Sequence, residues 1–453
     1  MAGRGEMPQN PQARIGTLPG RVAHAPNWLE SLLFLALMSG PPKFRGRDPF
    51  ASLAGTVDAV VAIHAVIWTC GGLWVLARLY PAVLRGRGVP VNGAQLVGAL
   101  FIASLTLSLP QSPGVLLTAF TLGQFAVMLS FAWVFTHRFG TASCLRHIFL
   151  GVVILTFATI AAVYLAPGLV TEESGLVAFE SRLRGDYIAD TGSLAVIGLV
   201  LSLSNAAPLR GPTFWALFGM FGGLLVLSRT RSAYVALAAF LVIGFIYGKR
   251  LRVRQVLLPL SGLMFAFFLM DTISSAADYL VRERETIETM SDRIPLWTYR
   301  TTAVMRESPL TGLGYYAASR VVGTEYNAGL GNAHSAFFEV LVGGGLIGAA
   351  LYIALCASLM RFAARALRTA SGDPHVVAAA GLLVGALVLG LATPAALQPG
   401  PLGFAFWSLT AILPRVCREA TQARIGGGQR LNAQPPVFAA GPSRPRVAGR
   451  YAS

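Results

Sequence analysis

Apolar residues in this chain come in long unbroken runs rather than in narrow stripes. Runs of roughly 18–25 apolar residues recur along most of its length, enough for a helix to cross a hydrocarbon core of about 30 Å. Lipid offers the backbone no hydrogen-bond partners, so helices that satisfy themselves are the expected solution. The short alternating segments of a β-barrel do not occur in the pattern. The predicted spans are 28–40, 54–78, 93–110, 114–136, 147–166, 189–206, 213–228, 232–248, 255–272, 334–360, 376–395 and 401–415. The expected fold is an all-α, polytopic integral membrane bundle of 11–12 transmembrane helices. Span 28–40 is short. It resembles the apolar core of a signal peptide but lacks a small-x-small cleavage site, and reads as a helix or half-helix.

Charge adds an orientation. Only 12% of the 453 residues are charged, against about 25% in a soluble domain, and the net charge of +16 sits largely in short loops. Arg85 and Arg87, Arg138 and Arg146, Lys249 to Arg254, and Arg361 to Arg368 alternate with the spans and mark one side as cytoplasmic. Lys43, Arg45 and Arg47 disagree if span 28–40 crosses fully. A basic balance of this kind points to topology and anionic membrane lipid, not to nucleic acid. The expected organisation is a cytoplasmic segment 1–27, nine spans over 28–272 with a smaller periplasmic loop near 167–188, a large periplasmic loop 273–333, three spans over 334–415, and a disordered cytoplasmic tail 416–453. Within the large loop, the segment from Arg293 to Arg306 predicts an amphipathic helix with Ile294, Trp297 and Val304 on one face, broken by Gly312 and Gly314.

Candidate chemistry is concentrated in the outer segments. His334 is the only histidine placed there; His24, His137, His147 and His375 fall inside and His64 falls mid-span. None of the four cysteines lies in an outer loop, and CxxC, HExxH and nucleotide-binding glycine loops are lacking. Glu283-Arg-Glu285 reads as a solvated face, so no metal and no cofactor are expected. Taken singly, Arg231 reads as a snorkelling anchor or as a ligand, and Arg182 and Arg293 as loop charges or ligands. Trp297 reads as an interface anchor or a sugar platform, and Arg184, Arg229 and Arg300 as structural, with Arg300 sharing a face with Arg293.

In order, the chain holds Arg182-Leu-Arg184-Gly185-Asp-Tyr, Thr230-Arg231-Ser232-Ala233, Arg293-x-x-x-Trp297, Pro309-Leu-Thr-Gly-Leu-Gly314, and Ala333-His334 before Gly345-Leu-Ile-Gly348. As an ensemble over about 150–360 this resembles the O-antigen ligase and polymerase superfamily. Members usually carry asparagine after the histidine; here the residue is Ser335. The resemblance implies a membrane glycosyltransferase C-like fold and an enzyme of the bacterial inner membrane with its active site facing the periplasm. It implies transfer of a glycan from undecaprenyl diphosphate to lipid A-core (ligase) or to another lipid-linked repeat unit (polymerase), alongside polysaccharide-assembly partners.

These residue types suit that chemistry. A diphosphate leaving group gains negative charge as the C1–O bond breaks, and arginine holds phosphate oxygens in a fixed fork. Arg182, Arg231 and Arg293 form the expected clamp, with Arg184, Arg300 and Trp297 as support. The acceptor hydroxyl loses a proton as it attacks, and a neutral imidazole of ordinary pKa about 6.5 can take it; His334 is the expected base. The arginines would replace the cation that other transferases place at the diphosphate, making the reaction metal-independent. The alternative class is a lipid-linked oligosaccharide flippase. It would need polar residues lining a cavity within the spans, whereas Asp58 is the main charge there.

Overall fold

The computed structural model describes residues 25–40, 59–84, 91–165, 171–173, 181–183, 190–206, 209, 211–228, 230–248, 293–326 and 333–432. The predicted span 255–272, most of the large loop before residue 293, Arg184, Arg229 and the residues beyond 432 lie outside these. The helices are α1 (Trp28–Ser39), α2 (Ala59–Leu84), α3 (Gly93–Thr106), α4 (Val115–Phe139), α5 (Thr141–Leu165), α6 (Thr191–Leu203), α7 (Pro212–Ser228), α8 (Arg231–Tyr247), α9 (Arg293–Glu307), α10 (Ala317–Tyr326), α11 (Ala336–Thr369), α12 (Pro374–Ala392) and α13 (Pro401–Asn432). The only strands among the described residues form a short ribbon in the smaller predicted loop. Its strands β1 (Thr171–Glu173) and β2 (Ser181–Leu183) pair antiparallel, with Glu172 opposite Arg182.

Among the described residues, six helical stretches are long and apolar enough to cross a membrane: Ala59–Pro81, Gly93–Gln111, Val115–Phe139, Thr141–Leu165, Ala336–Thr369 and Pro374–Ala392. The chain is an all-α multi-pass membrane protein. Large apolar side chains such as Leu73, Leu76, Leu116, Phe157, Phe245 and Leu391 stand exposed around it, where a soluble protein would keep such patches small.

Two predicted spans are short helices. Helix α1 has 12 residues, a rise of about 18 Å, well short of a crossing. Asn27 caps it, and the buried Glu30 one turn in is paired with Arg78 of α2 at 2.8 Å. At its other end Gly40 abuts Gly400, just before α13. A helix of this length fits the half-helix reading of 28–40. Helix α6 is buried along all 13 of its residues, enclosed by α5, α7, α8 and α12; it is apolar because it packs against protein, not lipid. At the other extreme, α13 continues through Asn432. The tail predicted from 416 is therefore helical over 416–432, supported near its start by the Arg415–Glu419 pair at 2.7 Å.

The direction of the inner helices defines two ends. Val200 of α6 packs on Gly381 of α12, and Val196 on Gly385, so these two helices are antiparallel. Thr230, at the start of α8, packs on Gly192, at the start of α6, so α6 and α8 are parallel. The starts of α6 and α8 therefore share one end of the bundle with the finish of α12. The opposite end carries Glu30, Arg78, Arg138 and Arg415, which donates to the His137 carbonyl at 3.0 Å.

Helix α11 is not one straight span. At Gly345 the backbone leaves the helical region (φ 61°, ψ −160°). The loop 309–314 enters this break and pairs with it backbone to backbone. Leu313 N–H donates to Val342 C=O at 2.9 Å and Gly314 N–H to Gly343 C=O at 3.2 Å, while Leu346 N–H donates to Pro309 C=O at 2.9 Å and Ile347 N–H to Leu310 C=O at 3.1 Å. The glycines in Pro309–Gly314 and Gly343–Gly345 are thus one feature: a methyl on Gly312 would lie 2.5 Å from the Gly345 nitrogen. The loop is fastened beyond the break as well. The Tyr315 carbonyl accepts from Thr118 of α4 at 2.9 Å, and its hydroxyl donates to Leu397 C=O, after α12, at 3.0 Å.

Candidate functional site

His334 lies in the two-residue turn before α11, half-buried, with φ +48°. A left-handed backbone costs a residue with a Cβ roughly 1–2 kcal/mol and persists where its surroundings over-determine it. The residue before it is held on both sides. The Trp297 indole N–H donates to the Ala333 carbonyl at 2.8 Å, and the Ala333 N–H donates to Glu339 Oε2 at 3.1 Å. Trp297 is in turn fixed by stacking on Phe338, with centroids 4.4 Å apart and planes 14° apart. Its indole grips the backbone of the histidine turn rather than serving only as an anchor at a membrane surface.

Helix α9 buries Leu296, Arg300 and Val304 at helical spacing, while Ile294 is 44% exposed. The predicted face of Ile294, Trp297 and Val304 is thus turned, because the groove beneath α9 takes Leu296 and Arg300 instead. Arg300 is fully buried and donates to the Ser319 carbonyl at 2.7 Å. Burial lowers its guanidinium from the usual value, opposed by the negative charge of Glu339. Glu339, also fully buried, accepts from the Ser319 hydroxyl as well as from Ala333. Arg300 is therefore a support beneath the site.

The arginines of the predicted clamp are placed as follows. Arg293 is the first residue of α9, half-buried, one turn before Trp297 and two before Arg300. The Trp297–Ala333 bond brings this arginine and His334 to the same region. Arg231 is the exposed first residue of α8. Phe240 of α8 packs on Gly381 of α12; Arg231 and Gly390 each lie nine residues further toward the same end. Gly390 lies beside Ala336, where a Cβ on the glycine would meet the Ala336 Cβ at 3.5 Å. Arg231 and the histidine turn thus share one end of the bundle, on opposite sides of α12. Arg182 lies in β2, which runs beside α7. Arg184 falls outside the described residues.

Sequence reasoning gave Glu339, Ser319, Tyr316 and Arg320 no role. The Arg320 guanidinium sits 3.6 Å over the Tyr316 ring, and Tyr316 is another non-glycine residue with positive φ, +68°. A signal existed for Glu339: it is the sole charge in the apolar stretch from Ala336 to Cys356, and a lone carboxylate there marks function or a buried partner. Residues 215–353 match the family model described as O-antigen ligase. The match takes in Arg231, Arg293, Trp297, Arg300, His334 and the loop seated in the α11 break, and leaves out Arg182 and Arg184. No curated protein matches the chain. Over residues 215–353 the chain is thus similar to the O-antigen ligase family, which supports its resemblance to the O-antigen ligase and polymerase superfamily.

Proposed function

We propose that this protein is a glycosyltransferase that takes a glycan from undecaprenyl diphosphate, at the periplasmic face of the inner membrane, and passes it to lipid A-core or to another lipid-linked repeat unit. The observation that carries the reading is His334, held in a left-handed turn by Trp297 and Glu339 beside the helix that starts with Arg293. The acceptor oxygen forms a bond to C1 of the donor sugar, the bond from C1 to the diphosphate oxygen breaks, and the hydroxyl proton passes to the imidazole. Undecaprenyl diphosphate leaves with the bonding electrons. Arg231 and Arg293, with Arg182 from the ribbon, hold its oxygens in place of a metal ion. The half-buried guanidinium of Arg293 is worth more there than it would be in water.

The test is transfer by the purified protein. His334→Ala should lower turnover by about 10²–10⁴-fold. His334→Gln should be nearly as slow, since an amide binds the acceptor but cannot take its proton. The wild-type rate should fall once acid protonates the imidazole, which then cannot take the acceptor proton. Near-normal turnover by His334→Gln would remove the base. The glycan profile of a deletion strain separates the two acceptors: single repeats still on lipid A-core mean a polymerase, and loss of all attachment means a ligase.

A further inference from the structure

We infer that Glu339 is the positioning residue of this site: its buried carboxylate sets the turn that presents His334 and ties that turn to the helix carrying Arg293. The inference rests on the base reading of His334 for its catalytic consequence, but not for its geometry. Glu339 is the fourth residue of α11, after Ser335 at the cap, and Ser335 makes no side-chain capping bond. The carboxylate instead folds back over the helix start to the Ala333 N–H at 3.1 Å. A negative charge is favourable at that end of a helix, and an N–H buried without an acceptor would cost about 1–3 kcal/mol.

A neutral side chain could have filled that need. A carboxylate with no exposed surface carries a desolvation penalty of several kcal/mol, repaid only by further partners. Here the partners come from other elements: the Ser319 hydroxyl from α10 and the charge of Arg300 from α9, itself fully buried and bonded to the Ser319 carbonyl at 2.7 Å. Helices α9, α10 and α11 therefore meet at one carboxylate. Ala333 is held twice, its carbonyl by Trp297 of α9 and its N–H by Glu339. The first tie runs directly to the helix that begins with Arg293 and the second reaches it through Ser319 and Arg300, so the spacing between that arginine and His334 is fixed only while both hold. A turn with φ +48° at a histidine needs this kind of constraint.

The experiment uses the full chain with Glu339→Ala and Glu339→Gln. A misplacement of about 1 Å costs up to about 10²-fold in rate, so Glu339→Ala should lower kcat by about 10–100-fold while KM for the lipid-linked donor changes by less than about twofold. Glutamine can still accept from Ala333 through its oxygen and donate to the Ser319 oxygen through its amide. Glu339→Gln should therefore recover kcat to within about fivefold of wild type, although it unfolds more easily because Arg300 loses its counter-charge. Equal kcat losses in the two variants, or wild-type kcat in Glu339→Ala, would overturn the proposal. A second readout needs no chemistry. With Cys70, Cys144, Cys356 and Cys417 replaced and His334→Cys introduced, the labelling rate by an impermeant maleimide should change severalfold with Glu339→Ala and little with Glu339→Gln. An unchanged rate with Glu339→Ala refutes the positioning role. A shifted rate alongside normal turnover by His334→Gln keeps it and removes only the base.

Discussion

Gly345→Ala is the sharpest perturbation of the scaffold. The residue sits at φ 61° and ψ −160°, in a region essentially reserved for glycine. A methyl there would lie 2.5 Å from the Leu310 carbonyl carbon and oxygen and 2.6 Å from the Gly312 nitrogen. All three are backbone atoms and cannot rotate away. The backbone conformation alone costs an alanine about 1–3 kcal/mol. Driving the loop out of the break also loses up to four backbone hydrogen bonds, between 2.9 and 3.2 Å long, each worth about 1 kcal/mol net. The combined penalty is on the order of 4 kcal/mol, a large share of a typical stability of about 5–15 kcal/mol. Two routes share it: partial unfolding, or a straightened α11 that ejects residues 309–314 and displaces α9 and α10 from the histidine turn. Thermal unfolding in detergent and transfer assays on the same preparation read both, and limited proteolysis reports the freed loop. Gly348→Ala is the control, because its methyl's tightest contact is the movable Leu105 side chain at 3.3 Å, with the Val340 side chain and carbonyl at ordinary distances of 3.6 and 3.8 Å. If Gly345→Ala unfolds at the wild-type temperature and turns over normally, the interlocked loop is not what holds the site.

Arg231→Lys keeps the charge but loses the bidentate fork, so activity should drop while insertion and yield stay normal, and Arg231→Ala should lose nearly all activity; wild-type transfer by Arg231→Ala at equal protein level would leave this residue an anchor. Single cysteines near residues 285 and 325, in a cysteine-free background, should label from outside intact spheroplasts, and one near residue 252 should not; the reverse pattern inverts the orientation. Asp373 caps α12, accepting from His375 N–H at 2.8 Å, and its bonds to His375 hold its carboxyl below the usual range against the opposing effect of burial. Asp373→Ala should cost about 1 kcal/mol at pH 7. A depressed folded pKa contributes its full stability above the unfolded value, about 3.9, and loses it as pH falls from there through the folded value. The gap between variant and wild type should therefore close as pH falls below about 4, and a gap independent of pH there would refute the cap's ionic character.

Much of this protein can be read directly from its sequence. Long apolar runs, the cost of an unsatisfied backbone in lipid and the position of loop charges are enough to specify a polytopic helical bundle, because each is a property of consecutive residues. The order of Arg231, Arg293 and His334 is likewise a linear feature, and so is the helical start at Arg293, where Pro295 falls in a tolerant first turn. Run length alone could not distinguish a helix that crosses lipid from α6, which is apolar because protein encloses it, or from α1, which stops part-way. The tertiary structure decided what depends on distant partners. The buried face of α9 passes from Ile294 to Leu296 and Arg300 because of the groove it meets. The break at Gly345 is stable only because residues 309–314 supply the hydrogen bonds that the helix gives up. The Arg300–Ser319–Glu339 cluster joins residues 19 and 20 positions apart. The energy of a buried charge is set by what surrounds it in space, and neither helical periodicity nor the span pattern carries that information.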